Sequence, residues 1–287
     1  MNSCKTMSEA KFIEKLRCLT NKNPNSFNLQ DDISRISNGI IVNTDTTIEG
    51  VHILGNLNPK YIAYKAMARS VSDVTAKGGN PFAYMLNIIL PQGFTKFNTL
   101  IDGFKEFTSQ YKMDLIGGDT SSYGNNITII VTVFAKVERN ILRSGAKIGD
   151  AIYITKNIGS AFFGYEDCKL SNNATQHAKE YLMPSISTLV DWSYINASMD
   201  ISDGLLADVE KMAFASKKCC EIDFNLLPFS LNERQEEQLS FGDDYNILFT
   251  THNTYNAIKI GRVINGNGLK LVNCPFRITN KGFEHLS

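Results

Sequence analysis

Acidic side chains stand beside glycine and hydroxyl residues in four short, widely separated stretches: Asp31-Asp32, Asn43-Thr44-Asp45-Thr46, Gly117-Gly118-Asp119-Thr120 and Asp200-Ile201-Ser202-Asp203-Gly204. Asp73 adds a further acid. Carboxylates tethered to turns, unlike those spread along a solvated helix face, suit hard divalent cations. Mg2+ takes one or a few of them and completes its shell with oxygens of a polyphosphate. The two glycines before Asp119 let backbone amides approach a phosphate closely, with the acid left to hold a bridging metal. The pattern reads as a Mg2+-nucleotide enzyme. Each stretch also has a plainer use, since Asp and Ser satisfy local backbone donors as Asx turns and helix N-caps, and Asp200 to Asp203 ahead of a helix fits that use well.

The common nucleotide signatures are missing. The chain has no G-x-x-x-x-G-K-[ST] loop, no protein-kinase H-R-D and D-F-G pair and no strand-borne G-x-G-x-x-G, so ATP handling would rest on metal-bridging carboxylates. Arg143, in Arg143-Ser144-Gly145-Ala146, either supplies a cation for phosphate or is an exposed linker residue. His52 follows Asp45 by seven residues and has structural and functional readings alike. His177, His252 and His285 form no triad with a Ser or Cys elbow, so nucleophilic hydrolysis has no support.

The elements that must hold these residues follow from periodicity and punctuation. Ile40-Ile41-Val42 reads as a strand ending at Asn43, which puts Asp45 at its mouth. Residues 60–77 have helical spacing in Ile62, Ala66, Met67, Val71 and Val74, stopped by Gly78-Gly79 and Pro81. Asp73 then lies in the last turn, where the macrodipole prefers cations, and that local conflict favours a functional role. Strands are expected over 83–90, at Leu115-Ile116 leading into Gly117, over 127–137 and 151–155, and near 221–224, 246–251 and 260–264. Helices are expected over 97–111, from Gly159-Ser160-Ala161, over about 175–181 and over 205–216. The polar segment 138–150 divides the chain into residues 1–137 and residues 138–287. Mixed strands and helices in both halves indicate α/β and α+β architecture.

At 287 residues, with 43% hydrophobic and 20% charged residues, the chain is globular and long enough for two cores. Its 29 basic and 29 acidic residues give no concentrated positive field, which argues against a general nucleic-acid or membrane-surface role. Cys4, Cys18, Cys168, Cys219, Cys220 and Cys274 contain no C-x-x-C pair and read as reduced thiols. Met1 to Leu19 reads as an amphipathic helix rather than a signal segment, and no apolar run reaches spanning length, so a cytoplasmic location is expected.

Taken in order, these segments resemble the thiamine-monophosphate kinases, of the superfamily that includes aminoimidazole-ribonucleotide synthetase and selenophosphate synthetase. The resemblance runs from about Phe12 to the C-terminus, and it rests on Asp31-Asp32, Thr44-Asp45-Thr46 with Glu49-Gly50-Val51-His52, and Ser72-Asp73. It continues through Gly117-Gly118-Asp119-Thr120, Arg143-Ser144-Gly145-Ala146, Asp200-Ile201-Ser202-Asp203-Gly204-Leu205, Asp243-Asp244-Tyr245 and Gly282-Phe283-Glu284-His285. It implies a two-domain fold, an N-terminal α+β domain that forms a homodimer through its sheet and a C-terminal α/β domain, with ATP where they meet. By position it implies Mg2+ on Asp32, Asn43, Thr44, Asp45, Asp73, Asp119, Asp200 and Asp203. Gly118, Asp119, Arg143 and Ser202 would contact the nucleotide, His52, Asp243 and Phe283 the thiamine monophosphate, and Asp45, Asp119 and Asp203 would be central to catalysis. The implied reaction moves the ATP γ-phosphoryl group onto thiamine monophosphate.

The chain departs from the family pattern at Gln30, where Gly is usual, and at Asn43, where Ser or Thr is common. Phe241-Gly242-Asp243-Asp244-Tyr245-Asn246 replaces Gly-Gly-Glu-Asp-Tyr-Glu, and the segment from Phe224 to Ile264 is short. The reactive Cys of selenophosphate synthetase and the C-terminal Cys of the hydrogenase-maturation relative are both missing. Aminoimidazole-ribonucleotide synthetase and a non-catalytic nucleotide-binding paralogue are the alternatives.

Overall fold

The structure is a computed structural model describing residues 9–189 and 191–283. Cys4, Glu284, His285 and the first eight residues of the expected N-terminal helix lie outside that range. The helix itself, α1, spans Glu9–Leu16 and tightens into a 3-10 turn.

Strands β1 (Ser34–Ser37), β2 (Ile40–Ile48), β3 (Asn80–Leu90), β4 (Asp114–Ser122) and β5 (Thr128–Lys136) form a sheet in the order β1-β2-β5-β3-β4. Helices α2 (Pro59–Thr75) and α3 (Phe97–Tyr111) connect them. Two expectations are corrected here. β2 does not stop at Asn43: β5 pairs with it from Ile40 to Ile48, and Thr44, Thr46 and Thr47 suit that extended ladder. Gly117-Gly118-Asp119-Thr120 is likewise no turn but the middle of β4, parallel to β3, and a Cβ at Gly118 would stand 1.8 Å from the Leu86 carbonyl oxygen. Glycine there serves the close approach of two strands.

Strands β6 (Ala151–Ile154), β7 (Ile195–Asp200), β8 (Cys219–Asp223), β9 (Ile247–Thr251), β10 (Ile258–Ile264) and β11 (Gly268–Val272) form the second sheet, in the order β11-β8-β10-β6-β9-β7. Helices α4 (Ser160–Lys169), α5 (Gln176–Leu182), α6 (Leu205–Ser216) and α7 (Gln235–Ser240) accompany it. β1, β7, β11 and α7 had no clear sequence signal: β1 and β11 are short edge strands, and β7 is an edge strand broken by polar Asn196 and Ser198.

α2 is the pivot. It is buried along nearly its whole length, between the first sheet, α3 and, on its far side, α5 and β7. The apolar core of the first sheet takes in Cys168, Tyr181 and Leu182 from α4 and α5, so the two halves share packing around this helix. A helix buried on all sides must have its charged side chains paired within the protein.

Candidate active site

Alternation along β2 turns Asn43 and Asp45 to the same face as buried Ile41 and Thr47, toward α2. Asp73 meets them from the last turn of α2, and Asn43 Nδ2 donates to Asp73 Oδ2 at 2.7 Å and to the Asp32 carbonyl at 3.0 Å. Asp200 arrives from the end of β7. Burial pushes the Asp73 carboxyl well above the usual range, and the charges of Asp200 and Asp45 add to it. Asp200 is pushed up to about 6, chiefly by burial, against the opposing effect of a hydrogen bond from Ser72. Acids crowded in a desolvated site are eased by a cation. Asn43 Oδ1 is buried and accepts no hydrogen bond, leaving an oxygen for such an ion. Among the described residues no three acid, imidazole or thiolate side chains form a ready-made cage. That is compatible with Mg2+, which keeps several water and phosphate oxygens, and the donors fit it.

The Asp31-Asp32 pair lies in the same region but is engaged by cations of the chain. Lys77 Nζ stands 2.9 Å from Asp31 Oδ1, 3.1 Å from Asp32 Oδ2 and 2.7 Å from the Ser198 carbonyl. Arg143 donates its backbone N–H to Asp31 Oδ2 at 2.8 Å and pairs through Nη2 with Asp32 Oδ1. Arg143, expected at the nucleotide, is therefore folded onto an acid.

The loop after β7 is held from two directions. Asp208, buried in the first turn of α6, accepts from the backbone N–H groups of Ser202 and Asp203 at 3.0 Å each and from Lys211 Nζ at 2.8 Å; Lys211 also pairs with Asp203. The Ser202 carbonyl accepts from Asp243 N at 3.0 Å and the Asp203 carbonyl from Phe283 N at 2.9 Å. Two residues expected to contact the acceptor thus dock on the loop expected to hold nucleotide and metal. Gly242 makes the docking possible: at φ 81°, a Cβ there would lie 2.1 Å from the Ser202 carbonyl oxygen.

Both oxygens of Asp243 are engaged inside the protein, Oδ2 by Lys65 Nζ at 2.7 Å and Oδ1 by the Tyr245 hydroxyl at 2.7 Å. Burial alone would raise its carboxyl, but Lys65 and Arg69 hold it below the usual range. Lys65 also lies 3.5 Å over the Tyr181 ring, whose hydroxyl accepts from Leu54 N at 3.0 Å on the turn carrying His52. His52 Nδ1 accepts from Ile48 N at 2.9 Å. Asp243 and Asp244 open on a cleft of about 280 Å³ that Lys156, Ser160, His177 and Glu180 also line. Asp244 accepts twice from Gly159 N, and burial pushes its carboxyl up to about 7. In this cleft Ser160 Oγ and His177 Nδ1 are 2.8 Å apart, a pairing the sequence did not suggest. No carboxylate among the described residues hydrogen-bonds His177, so no charge-relay triad is formed.

Gly118, Asp119 and Thr44 are not brought to this centre within one chain. The register Asp45↔Val131, Val131↔Leu86, Leu86↔Gly118 puts Gly118 three strands from Asp45, about 14 Å across the sheet, with Asp119 on the opposite face. Thr44 shares that opposite face and hydrogen-bonds Thr132 Oγ1 at 3.0 Å.

Sequence reasoning singled out Arg143 but passed over the cations of α2 and α6. Lys65, Arg69, Asp73 and Lys77 recur every four residues along α2 and its C-terminal extension, and that charged stripe in an otherwise apolar helix was a readable signal. Arg69 sits in the field of Tyr245, Asp45, Asp243 and Asp203, which keeps it charged in spite of burial, and its Nε is buried without a hydrogen bond. Asp208 and Lys211 had no such signal.

Residues 30–137 match the family of AIR synthase related proteins, N-terminal domain. The thiamine-monophosphate kinase of Buchnera aphidicola subsp. Schizaphis graminum is 33% identical over 234 residues, covering 75% of this chain and 72% of that protein. That of Aquifex aeolicus is 30% identical over 277 residues, covering 87% and 89%. A solved structure of AaThiL complexed with AMPPCP and TMP superimposes with a TM-score of 0.85 at 28% identity, covering 97% of each chain.

Proposed function

The chain belongs to the thiamine-monophosphate kinase family, and from that membership and the site we propose that it transfers the γ-phosphoryl group of ATP to thiamine monophosphate, yielding thiamine diphosphate and ADP. The observation that carries this reading is the docking of Asp243 and Phe283 on the Ser202-Asp203 loop, which ties an acceptor cleft to the carboxylate centre. The acceptor phosphate already bears an anionic oxygen, so the protein supplies no nucleophile and the transfer is direct. The obstacle is the approach of two polyanions. Mg2+, when bound, neutralises phosphate charge and aligns the reacting groups. We assign its protein oxygens to Asp45, Asp73 and Asp200 with Asn43 Oδ1, and Asp203 to the nucleotide side, where Lys211 holds it. To Arg69, charged and lying in the fields of Asp45 and Asp243, we assign the role of attracting the phosphoryl group in flight. The Asp243 cleft takes the organic part of the acceptor.

We further propose a homodimer through the first sheet. β4 is an edge strand with Leu115 56% and Ile116 60% exposed, and a second copy would cover both and the face that bears Asp119. The domain boundary falls at 137/138, between the two sheets. The unpaired thiols Cys18, Cys168, Cys219, Cys220 and Cys274 support a cytoplasmic location, and no helix among the described residues is long and apolar enough to cross a membrane.

ADP release tests the function. With Mg2+ and ATP, thiamine monophosphate should elicit turnover and formylglycinamidine ribonucleotide should not. Turnover with the second alone would move the chain to aminoimidazole-ribonucleotide synthetase activity, and nucleotide binding with neither would make it a sensor.

A further inference from the structure

The acids expected to hold metal divide into two groups that meet different partners. Asp45, Asp73 and Asp200 crowd one another and meet no ammonium or guanidinium at bonding distance among the described residues, and Asp73 and Asp200 feel Lys77 only at longer range. Asp31 and Asp32 meet two. Lys77 Nζ donates to the Ser198 carbonyl at 2.7 Å and forms ion pairs with Asp31 Oδ1 at 2.9 Å and Asp32 Oδ2 at 3.1 Å, the last oxygen being buried without a hydrogen bond, and its side chain is 0% exposed. Its position is fixed by the fold. It lies just beyond the C-terminus of α2, where the macrodipole favours a cation, and Ser198 Oγ donates to the Ala76 carbonyl at 2.6 Å, clamping β7 to the same turn. Arg143 covers the other side of Asp32. Resting on the phosphoryl-transfer reading above, we propose that the chain's own cations, Lys77 and Arg143, neutralise the Asp31-Asp32 pair in place of a divalent ion, which confines metal binding to the Asp45, Asp73 and Asp200 side.

The two kinds of cation exclude each other. An Mg2+ coordinated by the oxygens that Lys77 contacts would share them with the ammonium, and a dication and an ammonium held so close at a buried site repel each other strongly. Asn43 reinforces the division: it aims amide hydrogens at the Asp32 carbonyl and at Asp73, closing the gap between the two groups with donors. The consequence is an enzyme that needs fewer divalent ions than its carboxylates would suggest.

Mn2+ titration followed by electron paramagnetic resonance, with a non-hydrolysable ATP analogue present, tests this. Lys77→Met should bind about one more Mn2+ per chain than the unaltered protein, and its melting temperature should become more dependent on Mn2+. Asp32→Asn in the unaltered background should leave the number of bound ions unchanged, while Asp73→Asn should lower it. If Lys77→Met does not fold, the Asp32→Asn result decides: loss of an ion there overturns the proposal, and an unchanged number upholds it. Equal, non-zero stoichiometry in Lys77→Met and the unaltered protein would also overturn it. Binding of no Mn2+ by either protein would remove the metal reading itself.

Discussion

Replacing Lys65 with Met keeps the apolar stem and removes the ammonium from a pair whose side chains are 0% and 14% exposed, 2.7 Å apart. Removing one partner of a buried ion pair costs about 3–5 kcal/mol, because the remaining charge is stranded without its counter-ion. Asp243 keeps the Tyr245 hydroxyl and the field of Arg69, so the lower end applies, about 3 kcal/mol. For a chain of this size that is a fall of about 6–12 °C in melting temperature. The pH dependence has a definite sign. In the unaltered protein Asp243 is held below its ordinary value, so its contribution is present at neutral pH and fades in acid. Without Lys65, burial dominates and raises the carboxyl, so the deficit of Lys65→Met should be larger at pH 8 than at pH 5. Thermal melts at both pH values measure this, and Lys65→Met with Asp243→Asn should recover most of the loss. In ADP-release assays the single variant should raise the Michaelis constant for thiamine monophosphate more than that for ATP. A Lys65→Met protein within about 1 kcal/mol of the original at pH 8, or a double variant no better than the single, would refute the account of the acceptor cleft.

Asp45→Asn should lower turnover at least about 100-fold while leaving the melting temperature of the metal-free protein equal or higher, since Asp45 adds to the strain on Asp73 and Asp200; near-normal turnover would remove Asp45 from the metal site. Arg69→Met should cut the turnover number by about 10- to 100-fold and also lower the melting temperature, because Asp243 loses a charge that holds its buried carboxylate ionised; unaltered kinetics would place it off the transfer path. Asp244, pushed up to about 7, destabilises the fold as it ionises, so stability should decline between about pH 4 and pH 7, by as much as about 4 kcal/mol. Asp244→Asn should flatten that decline in urea melts, and equal slopes would contradict the assignment.

The two mixed halves, most helices and the acidic motifs were legible in the chain because they depend on local periodicity and on residue types: Leu205–Ser216 and Phe97–Tyr111 form where the pattern puts them. The edges of the sheets were not. Whether Asp45 ends a strand or lies within one depends on β5 pairing with it across more than eighty residues of chain, and Gly118 sits in β4 because Leu86 lies against it. Nor could local sequence say which acids remain for metal. Asp31, Asp32, Asp45, Asp73 and Asp200 are the same residue type in similar settings, and they become different only when α2 carries Lys77 to one pair and leaves the others to crowd together. That distinction is electrostatic, and charge acts through distances of a few ångströms that the chain sets only by folding.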